Sequence, residues 1–71
     1  MYTPDVLEFV TYIIAKLSQF LGLSQQQVYV KLKDSGILDN YIVPSYDILH
    51  TFGSQYLMED ISQLMRKKGV L

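Results

Sequence analysis

Asp47, His50 and Thr51 are the residues whose types and spacing come nearest to a reactive set. On a helix, separations of three and four residues would let Asp47 reach both His50 and Thr51 on one face. Tyr46 stands four residues before His50 and would share that face. A carboxylate beside an imidazole can orient the ring for general-base work. Catalysis further needs a nucleophile, an anion-stabilising group and a pocket, and no recognisable pattern for these accompanies the triplet. Tyr46, Asp47, His50 and Thr51 are therefore read as a structural polar cluster. In it Asp47 favours a helix N-terminus and His50 ties its ring to nearby backbone. The chain is expected not to be an enzyme, with no catalytic, cofactor-binding or metal residue assigned and no small-molecule substrate identified.

Six tyrosines in 71 residues are the better functional clue. Tyrosine joins a large apolar ring to a polar tip and is enriched in interfaces. Tyr12 projects from the polar arc of the first predicted helix, and Tyr56 lies off the apolar stripe of the last. Val30 falls on the polar side of the helix between them. Tyr12, Val30 and Tyr56 are the candidate interaction surface. The alternative is that small domains leave apolar surface exposed without using it. Arg66, Lys67 and Lys68 form the only basic cluster, which Lys31 and Lys33 extend if their helices pack side by side. A basic last turn is also the normal complement of a helix dipole. The stretch from Ser24 to Ile37 could open a helix-turn-helix. Its expected second helix, however, is short, carries Asp39 and has no basic residue, so nucleic acid is an unfavoured partner.

Composition narrows the remaining classes. The chain is 49% hydrophobic and 18% charged, with one histidine, no cysteine and a net charge of −1. Without cysteine there is no disulfide and no zinc–thiolate site, and one histidine cannot build a multi-histidine centre. The near-neutral charge argues against binding nucleic acid by electrostatics. The length gives one small domain, 1–71, burying roughly 60% of its unfolded surface with none of the usual staples. A partner surface, from another protein or a second copy, would supply the burial that is missing. No basic segment precedes an apolar core at the N-terminus, and no apolar run approaches the ~20 residues of a membrane span. A cytoplasmic location is expected, with no membrane partner.

These residues need helices to position them. Thr3 is a plausible N-cap, Pro4 suits the first helical position, and Asp5 and Glu8 complement the positive helix end. Val6, Leu7, Phe9, Val10, Ile13, Ile14, Leu17, Phe20 and Leu21 then share an arc of about 160°. So wide a stripe belongs to a central helix, which Gly22 stops. Ser24 with Gln27 forms a capping box, and the helix after it runs to about Ser35 and ends at Gly36. Val28 to Lys33 also alternate as a short strand would; the cap and the glycine favour helix, with Val28, Tyr29 and Leu32 inward.

Asp39 could cap a short turn carrying Tyr41, Ile42 and Val43, and Pro44 disfavours helix at Val43. Ser45 is then expected to cap a short helix burying Ile48, Leu49 and Phe52 and ending at Gly53. Ser54 opens a last helix with Leu57, Met58, Ile61, Leu64 and Met65 on an arc of about 120°. The three methionines, Met58 and Met65 included, read as core filling. The expected fold is an all-α bundle of three main helices plus one or two short ones.

The block Tyr46-Asp47-Ile48-Leu49-His50-Thr51-Phe52-Gly53, followed by Tyr56-Leu57-Met58-Glu59-Asp60-Ile61, resembles a family of short bacterial proteins known only as a domain of unknown function. The preceding Gly36-Ile37-Leu38-Asp39 fits the same pattern, and the match runs from about Leu7 to Gly69. In Ser24-Gln25-Gln26-Gln27-Val28 the family's glycine is absent. The resemblance implies no activity and no functional residue. Members of the family are often encoded beside a larger protein resembling ADP-ribosyltransferase toxins. A small protein–protein interaction module, antitoxin-like toward a neighbouring gene product, is what that implies. A DNA-binding regulator of its own operon is the alternative.

Overall fold

The computed structural model describes residues 2–71, and all regular structure among them is helical. Helix α1 spans Pro4–Leu21. Thr3 caps it, its hydroxyl accepting from the Val6 amide at 3.2 Å. Pro4 sits where a missing N–H costs nothing. Gly22 ends the helix at φ 69°, a left-handed conformation that lets its amide and that of Leu23 return to the Ser18 carbonyl. Helix α2, Gln25–Asp34, starts from a reciprocal capping box in which Ser24 and Gln27 satisfy each other's amides at 3.0 and 2.9 Å. These local bonds settle the segment from Val28 to Lys33 as helix, and the strand alternative falls.

The next segment departs from expectation. Leu38–Ile42 forms a π-helical turn, closed by the Val43 amide on the Leu38 carbonyl at 3.0 Å. Asp39 does not cap it. Its carboxylate is held by the Lys33 ammonium at 2.8 Å and receives the Tyr2 hydroxyl at 3.3 Å. Val43 keeps helical dihedrals despite Pro44, so the proline ends the turn through its missing N–H rather than by unwinding its neighbour. Ile37, Leu38 and Ile42 are fully buried, which makes this irregular stretch part of the core.

Helix α3 is a single turn, Tyr46–Leu49, and Ser45 supplies no side-chain cap. The expected inward set of Ile48, Leu49 and Phe52 reduces to Leu49, with Ile48 64% and Phe52 41% exposed. Adjacent helical residues lie ~100° apart, and the single turn is set with Leu49 against the core and Ile48 toward solvent. The helix stops at Leu49, short of Gly53, which serves instead as the N-cap of α4 (Ser54–Lys67). Ser54 opens the helix, as expected. Leu57, Met58, Ile61 and Met65 are buried and Leu64 is half-buried. Met1 lies outside the described residues.

Helix α1 is the one that packs against both other long helices, α2 and α4. A bend of 110° separates α1 from α2, and the Lys31 ammonium reaches the Val70 carbonyl at 2.8 Å to tie α2 to the chain end. The core side of α1 is Phe9, Val10, Ile13 and Leu17. Leu7 and Phe20, at the margins of the predicted stripe, are 54% and 47% exposed because only two long helices cover α1. Tyr29 is also outside the core. Val28 and Leu32 take the inward positions of α2, leaving Tyr29 beside Ile14 and Thr11 along the flank of α1. No single helix among the described residues is long and apolar enough to cross a membrane.

Candidate functional site

Asp5, Glu8, Phe9 and Tyr12 follow one another at helical spacing along the first half of α1. The turn of α3 lays Tyr46 against them. Its ring meets Phe9 edge-on, with centroids 5.4 Å apart and planes at 70°. His50 stacks on the other side of Tyr46 at 4.4 Å and 14°. Phe9 and Tyr12 lie 6.4 Å apart, and the Lys16 ammonium stands 5.8 Å from the Tyr12 ring centre. Leu57 from α4 and Phe52 from the preceding connection complete an open groove of about 390 Å³. Edge-to-face and offset stacks are favoured ring geometries, so these contacts hold the rings in place while leaving them partly wet.

The His50 ring nitrogen Nδ1 lies 2.7 Å from the Tyr46 carbonyl. A carbonyl only accepts, so Nδ1 is the donor in this contact. The Thr51 hydroxyl donates to the Ile48 carbonyl at 2.7 Å. Asp47 is exposed and makes no hydrogen bond among the described residues, so the anticipated contacts of Asp47 with His50 and Thr51 are not formed. The imidazole turns to the Tyr46 carbonyl and the Thr51 hydroxyl to the Ile48 carbonyl, so both polar groups are taken up by backbone of the same turn. No group of three His, Cys, Asp or Glu side chains among the described residues is placed to hold a metal ion.

The three candidate surface residues separate. Tyr12, 39% exposed, forms a wall of the groove. Tyr56 extends the aromatic surface through Phe52, whose ring centre is 4.7 Å away. Val30 is exposed on α2 in a different depression, lined with Ser24, Gln26, Gln27 and Lys31. Reading the sequence missed Asp5, Glu8, Phe9 and Phe52 as groove residues. Phe52 could have been found, since Gly53 follows it directly and leaves no turn of helix to carry it inward.

Two polar networks lie away from the groove. The Tyr41 hydroxyl donates to Asp60 at 2.6 Å, and burial, with help from that bond and the carboxylate charge, pushes the phenol up to about 12. In the Tyr2–Asp39–Lys33 set, the hydrogen bond from Lys33 holds Asp39 below the usual carboxylate range, and the same bond raises Lys33. Lys33 is thus paired with Asp39, whereas Lys31 bonds the Val70 carbonyl just past the basic end of α4.

The sequence model of one family, described as protein of unknown function (DUF3791), matches residues 8–68. No curated protein and no solved structure matches the chain.

Proposed function

The chain belongs to the DUF3791 family of proteins of unknown function, and from that premise we propose that it is a non-catalytic protein-binding module. The observation that carries this reading is the groove. Rings of Tyr12, Tyr46, His50 and Phe52 line one depression open to solvent, Tyr12 and Tyr46 held against Phe9, His50 against Tyr46 and Phe52 against Tyr56. Aromatic side chains held rigidly at a surface give contact area at little cost in side-chain entropy, which is what binding hot spots use. In a bacterial cytoplasm the partner to test first is the product of a neighbouring gene, toward which the chain would act in the manner of an antitoxin; a second copy of the chain comes next.

The test is co-expression of the full chain with the product of the adjacent gene, followed by size-exclusion chromatography. Wild type should co-elute with it, and the double variant Tyr12→Ser/Phe52→Ser should not, while keeping its helical circular dichroism. Undiminished co-elution of that variant, or free migration of wild type, would set the groove reading aside.

The operon-regulator alternative draws on a separate observation. Lys31 reaches the Val70 carbonyl, two residues past the run of Arg66, Lys67 and Lys68. A salt-dependent shift of the chain's own promoter fragment would support that reading, and no shift at low salt would eliminate it.

A further inference from the structure

The groove is asymmetric in charge. Asp5 and Glu8 bring two carboxylates to its rim, and among the described residues no lysine or arginine lines it. Lys16 is one turn beyond Tyr12 and already stands over that ring. Rings and carboxylates side by side suit a cation with an apolar stem, because the ring face attracts positive charge and the carboxylates accept its hydrogen bonds. Between the two basic side chains, arginine fits better. Its guanidinium is planar, weakly hydrated and able to stack on a ring while donating in its own plane to a carboxylate. We infer that the groove takes an arginine side chain from a basic, apolar-flanked segment of a partner protein, with Asp5 and Glu8 receiving the guanidinium and Tyr12, Tyr46, His50 and Phe52 packing its stem and neighbours. This rests on the groove being the binding surface proposed above. Charge complementarity supplies what the rings alone do not, namely which segment of a partner enters.

The experiment is a titration of the full ¹⁵N-labelled chain with a blocked peptide carrying one arginine between leucines, and with the same peptide carrying neutral citrulline. The arginine peptide should shift amide signals of residues 5–12 and 46–52 and bind at least fivefold more tightly than the citrulline peptide. The variant Asp5→Asn/Glu8→Gln changes two exposed side chains to near-isosteres and should erase that preference, bringing the arginine peptide down to the affinity of the citrulline peptide. Equal affinity for the two peptides, with both lost in Tyr12→Ala/Phe52→Ala, overturns the cation assignment and leaves the groove standing. Binding that survives Tyr12→Ala/Phe52→Ala, or shifts confined to other surfaces, overturns both. Sedimentation of the free chain closes the remaining route. A dimer that Asp5→Asn/Glu8→Gln dissociates would give the groove to the Arg66–Lys68 end of a second copy, and would overturn assignment to a separate partner.

Discussion

Tyr41 and Asp60 show how one hydroxyl can couple stability to pH in a chain with few charges. Their 2.6 Å bond joins the π-helical turn to α4. The folded phenol titrates at about 12, above the ordinary value of 10, so the folded state keeps a proton that the unfolded state gives up first. The stabilisation is therefore complete below pH 10 and is lost as pH rises through 12. Wild type should lose thermal stability across that window, and Tyr41→Phe should flatten this loss. At neutral pH the same variant should cost about 1 kcal/mol, since it leaves the carboxylate without its donor. Denaturant unfolding at pH 7 and at alkaline pH reads both. A wild-type profile that Tyr41→Phe does not change would remove this bond from the account. The Asp47–His50–Thr51 set makes the opposite point about single residues. Its spacing was plain in the sequence, yet His50 and Thr51 spend their polar atoms on nearby backbone carbonyls and leave Asp47 to solvent.

At the level of elements, what could be read in advance was what adjacent residues decide among themselves. Thr3 with Val6, Ser24 with Gln27, and Gly22 with Ser18 are exchanges within one turn, and each occurs as its residue types imply. What could not be read was decided by distant chain. Whether Ile48 or Leu49 faces inward depends on where α1 and α4 pass, and the core role of Ile37, Leu38 and Ile42 depends on α2 lying beside their turn. The two glycines that end α1 and α2 allow a test of element boundaries. Gly22 has φ 69° and open space where a Cβ would stand; Gly36 has φ 81° and the Asn40 amide nitrogen 2.9 Å from that position. The Asn40 side chain is exposed and can swing aside, so backbone strain dominates at both sites. Gly22→Ala and Gly36→Ala should each cost about 1 kcal/mol. A much larger loss at Gly36, measured by urea unfolding, would mean that Asn40 cannot move.

The whole molecule is as compact as its mass predicts. Its accessible surface of 4508 Å² compares with about 4500 Å² for an 8.2 kDa globule, and its radius of gyration of 11.0 Å with about 11 Å. The exposed rings are thus no sign of loose packing, and the case for a partner rests on where they lie and not on a shortage of burial. The margin is still narrow, because 71 residues support only about 4–11 kcal/mol in total. Leu17→Ala, at a fully buried position on the central helix, should remove about 3 kcal/mol or more and lower the melting temperature by roughly 15 °C. A melt displaced by only a few degrees would show that the core collapses around the gap.

The single turn of α3 bears on motion as well as on shape. It has one turn of backbone bonds, one buried aliphatic side chain and a proline just before it. Segments so lightly held open locally well below the cost of global unfolding. Amides from His50 to Phe52 should exchange with deuterium long before those of Ile13 or Ile61, and any true occupant of the groove should slow them first. One side of the groove is thus its own reporter, a stretch whose exchange clock records whether the groove is filled.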